Sequence, residues 1–393
     1  VKRVAIVAAK RTPIGRFLGG FTYTTAVELG TTVVKELLAQ TKLDPKEVGF
    51  VIFGQGRQAG NRPNPARQVA YFAGIPVETI AYTVNKTCGS GLLSIIHGYT
   101  HILNGDADIV IAGGMENMTR TPFILDRLRT GYRLGDAPVL DGQYFDGLLC
   151  PLSNLRMGET AENLVERYKI GREEQDFYAA RSQNRCEKAW KEGKFAEEVV
   201  KVEAKDEKGR PQIVAEDEHY RKGVTVESLA KLEPAFRKGG SVTAGNACGM
   251  GDGAAAVVLM SEEKAEKLGL TPWAFIEGYS FAGVDPAYMG IAPVYAVRNL
   301  EKRVGRKVAD YDLVELNEAF AAQVLACDRE LHLDHERLNV NGGAIALSHP
   351  IGCTGARLVV TILYEMRRRN VKTGLVTLCQ SGGLGTAVSL LRD

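Results

Sequence analysis

The sequence predicts a layered α/β protein, on three observations. Short apolar runs alternate with longer amphipathic ones, the same order of runs returns in the last third, and the short runs are apolar at successive positions, as strands covered on both faces are. In the first third, VAIVAA reads as a buried strand, AVELGTTVVKELLAQ as a helix, GFVIFGQ as a strand, SGLLSIIHGYTHILNG as a helix and ADIVIAGG as a strand ending in glycines. In the last third, WAFIEGYS, DLVELNE and GLVTLCQSGGLG read as strands, with VYAVRNLEKRVG and GARLVVTILYEMRRRN as the helices between them. The match is one of pattern, and it predicts two similar halves by internal duplication. Between them lies a stretch of different character, with scattered Arg and Lys, the charged segment KVEAKDEKGRPQ and the helical pieces GETAENLVERY and EEQDFYAARSQNRCEKAWKEG. The expected division is 1–120 for the first half, 121–250 for an inserted cover whose last part returns to that half, and 251–393 for the second half.

The bulk numbers bound the function. A chain of 393 residues, 45% hydrophobic and 24% charged, has material for more than one core without disulfides or metals. Its 49 basic and 47 acidic side chains leave a net charge of +2, which gives no general pull toward nucleic acid or a membrane surface. Arg120, Arg127, Arg129 and Arg133 form the most basic stretch, interrupted by Asp126 and apolar residues, and read as a solvated surface. No run approaches the roughly 18 apolar residues of a membrane span, and the apolar run in VKRVAIVAAKRTP is short and bounded by charge, unlike a signal peptide. Seven scattered cysteines without CxxC spacing argue against a disulfide framework or a zinc site and fit a reducing compartment.

Four residues carry candidate chemistry. Cys88, in AYTVNKTCGSGLLSIIHG, stands between a strand and a helix, where unpaired N–H groups and the positive end of the helix dipole favour a thiolate. Taken alone it reads as a small buried hydrophobe, as most single cysteines are. His349, in NVNGGAIALSHPIGCTGARL, lies among small residues that allow close packing, and histidine is the usual base for a thiol; alone it would be structural. Cys379 closes a buried strand at the kind of edge where α/β sites collect. Asn317 ends DLVELNE and offers an amide donor, or an N-cap for the helix EAFAAQVLA. The glycines Gly249, Gly251 and Gly253 suit a loop against an extended ligand or a turn before a strand. His97 and His101, one helical turn apart, lack an HExxH pattern and read as a helix face or subunit contact rather than metal ligands; His332 and His335 read likewise.

The segments NKTCGSGL, MGETAEN, PAFRKGGSVTAGNACGMGDGAA, NEAFA, NVNGGAIALSHPIGCTGAR and CQSGGLG occur in an order and at spacings that resemble the thiolase family nearly end to end. The resemblance implies a five-layered αβαβα fold of two similar halves with an inserted lid, and an acyltransferase that condenses two acetyl-CoA to acetoacetyl-CoA or runs the reverse thiolysis. It implies that Cys88 holds the acyl group, His349 takes its proton, and Cys379 is the second acid/base. Asn317, through a water held with His349, would stabilise an enolate oxygen, and the backbone N–H groups of Cys88 and Ser381 would form a second oxyanion hole. Met157, Arg221, Phe236, Ala244, Cys248, Ala319 and Phe320 would border the coenzyme A channel, with Arg221 toward the nucleotide. Coenzyme A and its thioesters are substrates, and no permanently bound cofactor or metal is implied; a homotetramer of tight dimers is the family's common state, and the cysteine usage gives the cytoplasm as the expected compartment.

Four departures bear on this. Cys248 stands where serine is usual, Arg156 where short-chain members carry histidine, and Ser348 and Ser381 where glycines are usual. CGSG after the nucleophile leans toward acetoacetyl-CoA chemistry, and Arg156 toward a degradative 3-ketoacyl-CoA thiolase of broader chain length. A decarboxylating ketoacyl synthase would carry a histidine in place of Cys379. A non-catalytic acyl-CoA-binding protein of the same fold would have lost one of Cys88, His349 and Cys379.

Overall fold

A computed structural model of the chain describes residues 2–393. The first half runs β1 (Val4–Arg11), α1 (Ala26–Thr41), β2 (Phe50–Gly54), α2 (Pro65–Phe72), β3 (Ile80–Val84), α3 (Ser90–Asn104) and β4 (Ile109–Asn117). Local chemistry sets the ends. Thr25 and Glu28 cap α1 reciprocally, the Glu28 N–H donating to Thr25 Oγ1 at 3.1 Å and the Thr25 N–H to Glu28 Oε2 at 2.7 Å. Pro65 opens α2, and Gly105 closes α3 at φ +81°. Residues 118–250 follow, with α4 (Met157–Tyr168), α5 (Arg172–Lys191) and short hairpins, one of them the charged segment, which pairs Val202–Lys205 with Pro211–Val214. The chain re-enters the sheet as β5 (Gly251–Ser261). The second half is β6 (Ala274–Gly283), α6 (Ala292–Val304), β7 (Leu313–Leu316), α7 (Ala321–Leu331), α8 (Ile351–Arg369), β8 (Thr373–Gln380) and β9 (Leu384–Leu391).

The strands join in the order β7-β8-β9-β6-β1-β5-β4-β2-β3. Only two residue pairs, Ala5 with Phe275 and Ile6 with Ala274, link the halves at β1 and β6. Within the halves the topology repeats: β2 is parallel to β4 as β7 is to β8, and β5 is antiparallel to β4 as β9 is to β8. Even β3 has a counterpart, since β2 and β3 are parallel and Val314 of β7 makes a parallel bridge to Leu338. The halves differ in one connection. Between β8 and β9 the chain turns within 381–383, whereas between β4 and β5 it makes the long excursion of 118–250. One correction to the sequence division follows. The strand 251–261, assigned above to the second half, lies between β1 and β4 and belongs to the first; chain order hides a sheet neighbour that returns after an excursion.

Three cores define five layers. Alternate residues of β2 point oppositely, Val51 and Phe53 toward α1 and α2, Ile52 toward α3. The central core packs Leu92 and Ile95 of α3 and Leu358, Val359 and Ile362 of α8 between Val110, Ala112 and Val257 of one half and Val376, Leu378 and Val388 of the other. A third core lies outside the second half, with Val297 and Leu300 of α6 and Val324 of α7 over Val314, Leu375 and Ala387. The layers are therefore α1/α2, sheet, α3/α8, sheet, α6/α7. Glycines set the spacing of the middle layer. A Cβ at Gly114 would lie 2.0 Å from the Gly352 carbonyl oxygen, one at Gly91 2.7 Å from the same atom, and one at Gly355 2.5 Å from the Leu92 nitrogen. Any side chain there would push the N-termini of α3 and α8 apart.

Candidate active site

Cys88 and His349 occupy equivalent places, each just before the N-terminus of a central helix. The turn that presents Cys88 is held by its own side chains. Asn85 Oδ1 accepts from the Thr87 N–H (2.9 Å), Ser90 Oγ accepts from the Lys86 N–H (2.8 Å) and donates to the Thr87 carbonyl (2.6 Å), and Thr87 adopts φ +48°. Gly89 lets this turn press on the end of β8, since a Cβ there would come within 2.6 Å of Gln380 Cδ. Burial pushes the Cys88 thiol up, while the Ser381 backbone N–H, Arg57 and the Cys88 N–H pull it back.

His349 donates its backbone N–H to the Gly249 carbonyl at 2.8 Å. Its Nδ1 lies 2.6 Å from Thr354 Oγ1, which itself stands 2.9 Å from the Pro350 carbonyl. A hydroxyl has one proton. Given to Pro350, it leaves Thr354 only able to accept, so Nδ1 carries the ring proton and Nε2 presents a lone pair. Nε2 is buried without a protein partner. Burial, then Arg357 and Arg57, push the imidazole down to about 3, which keeps it neutral and able to take a proton. The preceding Ser348 holds φ +77° and ψ 172°, a conformation that favours glycine, and its hydroxyl is buried without a partner.

Cys379 sits in β8 opposite Gly385. Its thiol is pushed well up by burial and then by Cys88. Cys248 is pushed up to about 12, again by burial first. Beneath the site, the fully buried Glu116 carboxylate accepts from the N–H groups of Gly56 (2.8 Å), Arg57 (3.1 Å) and Gly352 (2.8 Å), tying the loop after β2 to the start of α8.

One cavity of about 470 Å³ brings these groups together. Cys88, His349, Cys379 and Ser381 line it, with Cys248 beside them. Met157, Phe236, Ala244, Ala319 and Phe320 form apolar walls, and Arg221 also lines it. The walls pack closely: the Phe236 and Phe320 rings meet edge to face at 5.9 Å, and a Cβ at Gly158 would fall 2.2 Å from the Phe236 ring. Asn317 lies outside this lining, fully buried, with both side-chain polar atoms unpartnered. Its reading as a helix cap is corrected here. The helix begins at Ala321 with Phe320 at the cap position, and the Asn317 amide reaches neither.

Sequence reasoning missed several lining residues. Arg57 sits in GQGRQAG and His219 in a charged run, EDEHYRKG, that resembles solvated surface. Both line the cavity, as do Met118, Tyr144, Leu148 and Met289. A Cβ at Gly249 would lie 2.3 Å from the His219 ring, whose pKa is pushed down to about 4 by burial, Arg221 and Arg16. The glycines flanking Arg57 were the one available signal. Arg156 also lines the cavity, its guanidinium on Glu159 Oε1 (2.9 Å) and on the Phe236 carbonyl. The paired histidines serve structure: the Tyr82 hydroxyl meets His97 Nδ1 (3.3 Å) and His101 Nε2 (2.9 Å), and His335 pairs with Asp328 (2.8 Å).

Comparison with known proteins follows the same lines. Family models of the thiolase N-terminal domain and the thiolase C-terminal domain match residues 4–263 and 270–392. An acetyl-CoA acetyltransferase of Pseudomonas aeruginosa is 52% identical over 390 residues, covering 99% of each chain. A probable acetyl-CoA acyltransferase of Staphylococcus aureus is 49% identical, covering 98% of each. Among solved structures, the Bacillus anthracis acetyl-CoA acetyltransferase superposes with a TM-score of 0.97 at 45% identity, over 99% of this chain and 98% of that one. Human mitochondrial 3-ketoacyl-CoA thiolase gives 0.96 at 42%, over 100% and 99%. With both domains matched in order along nearly its whole length, this chain belongs to the thiolase family.

Proposed function

We propose that the chain is an acyltransferase that moves an acyl group between coenzyme A thioesters through a thioester on Cys88, condensing two acetyl-CoA to acetoacetyl-CoA or running the reverse thiolysis. The observation that carries this reading is the shared cavity of Cys88, His349 and Cys379. In thiolysis His349 Nε2 takes the Cys88 proton and the thiolate attacks the 3-keto carbon. The bond between C2 and C3 breaks, C2 keeps the electron pair, and Cys379 returns a proton to it, releasing acetyl-CoA. Cys379, left as a thiolate, then takes the proton of the coenzyme A thiol, whose sulfur attacks the acyl carbon; the bond to Cys88 breaks and His349 returns its proton to the Cys88 sulfur. The N–H groups of Cys88 and Ser381 stabilise the oxyanion on the acyl carbon, and Asn317, acting through a water with His349, stabilises the enolate; such donors commonly contribute about 3 kcal/mol each. The apolar walls at Met157, Phe236, Ala244, Ala319 and Phe320 suit a pantetheine arm, Cys248 borders it, and Arg221 suits the nucleotide end. The chemistry calls for no permanently bound cofactor.

Three further features belong to this reading. The stretch 121–250 acts as the lid of the site, supported by Tyr144, Met157 and Arg221 lining the cavity from it. The chain assembles as a homotetramer of tight dimers, supported by the open edge at β3, where Tyr71, Phe72, Val77 and Ile80 are exposed, and by exposed Phe123, Leu128 and Leu134 on the insertion. Residence in the cytoplasm is supported by seven free cysteines. A second reading, a degradative 3-ketoacyl-CoA thiolase of broader chain length, is favoured by Arg156 at the wall.

The deciding experiment incubates the protein with acetyl-CoA, digests it and maps the acetyl group by mass. A thioester on Cys88, absent from Cys88→Ala, is expected. Tight coenzyme A binding with Cys88 unmodified would replace the enzyme by a non-catalytic binder. Thiolysis rates on short and long 3-ketoacyl-CoA separate the two catalytic readings.

A further inference from the structure

Phe236 walls the cavity from a stretch with no core of its own. None of residues 231–240 is fully buried, and neither a helix nor a strand runs through them. Their place comes from α4. Glu162 Oε1 accepts from the N–H groups of Ser241 and Val242, at 2.8 Å each, and the Arg237 guanidinium donates to Asn163 Oδ1 (2.7 Å) and to Glu166. Phe236 itself has one hydrogen bond among the described residues, and Arg156 supplies it. From the cap position of α4, Nη2 of Arg156 donates to Glu159 Oε1 (2.9 Å) and to the Phe236 carbonyl, while the Arg156 N–H donates to Glu159 Oε2 (2.7 Å). The Phe236 ring so held lies against Gly158, two residues along, and meets Phe320 edge to face at 5.9 Å.

Arginine can do here what histidine cannot. A terminal guanidinium nitrogen carries two protons and serves both acceptors, whereas an imidazole nitrogen carries one at most. The Arg156 and Glu159 side chains are partly exposed, at 35% and 24%, so their pairing matters for geometry more than for ion-pair energy. We propose that Arg156 is a positioning residue for the thiol substrate: it fixes Phe236 in the cavity wall and, through that ring, sets the affinity for coenzyme A. The inference rests on the thiolase reading, in which this wall meets the pantetheine arm. A wall already in place spares the binding step the cost of ordering it. The arm meets the ring alike in the ground state and the transition state, so loosening the ring raises KM rather than lowering kcat.

The test reads binding in two ways. One is KM for coenzyme A in thiolysis of acetoacetyl-CoA. The other is the concentration of desulfo-coenzyme A, which has no thiol to consume the reagent, that half-protects Cys88 from iodoacetamide. Arg156→His is expected to raise both about 10-fold, the loss of a charge-assisted hydrogen bond, with kcat changed far less. Arg156→Lys, with several protons on one nitrogen, is expected to recover part of that. Phe236→Ala should raise both as well, and adding Arg156→His to it should change little more, because the ring that Arg156 places is gone. Equal values in wild type and Arg156→His overturn the proposal, since the hold would then be idle. A full further loss on top of Phe236→Ala overturns it too, since Arg156 would then meet the ligand directly. Either result leaves the thiolase reading standing. Failure of desulfo-coenzyme A to protect wild-type Cys88, together with no thiolysis of acetoacetyl-CoA, overturns both. If Arg156→His does not fold by circular dichroism, Arg156→Gln, uncharged and shorter, is read in its place.

Discussion

The imidazole of His349 stands 2.6 Å from the Thr354 hydroxyl, one helical turn into α8, and that hydroxyl is spent on the Pro350 carbonyl at 2.9 Å. The relay fixes which ring nitrogen is bare. Thr354→Val removes the acceptor for Nδ1–H and frees the ring to turn or change tautomer, so kcat is expected to fall about 10²-fold with KM little changed, as for other partners that orient a catalytic histidine. Thr354→Ser restores the hydroxyl and is expected to recover most of the rate. Alkylation of Cys88 by iodoacetamide should slow in parallel, and a Thr354→Val protein alkylated as fast as wild type would show that the relay has no part in drawing off the proton.

The crossing of the central layer tolerates no added atom. Gly114→Ala puts a methyl group 2.0 Å from the Gly352 carbonyl, against backbone that has nowhere to retreat. A loss of about 1–3 kcal/mol is expected from overpacking, measured by denaturant unfolding. Activity should drop further than stability alone accounts for, because α8 carries His349 with it when it shifts.

Acid should unfold the protein through its buried neutral histidines. His349 is held down to about 3 and His219 to about 4, both below the ordinary 6.5. Between those values and 6.5 the unfolded chain binds protons that the folded one refuses, so stability is complete above 6.5 and declines as pH falls through the window. Each histidine contributes a slope of up to about 1.4 kcal/mol per pH unit there. Unfolding free energies measured from pH 7 to 4 check this, and a flat profile would contradict both placements.

A buried charge cluster pins the insertion to the first half. Arg11, fully buried, donates to Glu198 (2.6 Å) and Asp217 (2.7 Å), while Trp190 and the Ile14 N–H also donate to Asp217, and Thr361 of α8 to Glu198. Arg11→Met strands two carboxylates and is expected to cost about 3–5 kcal/mol. Adding Asp217→Asn should recover part of that loss, read in the same denaturation experiment.

Much of this was legible in the residues. The strand and helix order could be read because strands covered on both faces and helices with one apolar stripe leave different spacings; Cys88 stood out only through the linked motifs that resemble the thiolase family, since its own surroundings suit a buried structural cysteine as well. What could not be read depends on neighbours distant in sequence. Strand 251–261 returns to a sheet begun at Val4, after more than a hundred residues elsewhere. Asn317 looked like a cap because the cap and an amide donor need the same side chain, and only the start of α7 at Ala321 separates them. Arg57 and His219 sit among glycines or charges that ordinary loops share; Arg57 is covered by Gly147, and His219 packs on Gly249, neither a neighbour in sequence.

The turn at 381–383 has a consequence for how such a protein diversifies. Gly382 and Gly383 both hold positive φ, at 88° and 82°, and a Cβ at Gly383 would strike the Val284 carbonyl at 2.2 Å, so that hairpin cannot lengthen or take larger residues without tearing β8 from β9. Its counterpart after β4 spans 118–250 and lines the cavity with residues such as Tyr144, Leu148, Met157 and Phe236. Change in length is therefore open to the excursion after β4, which brings Tyr144, Met157 and Arg221 to the cavity, while the short turn that follows Cys379 is held to its present form.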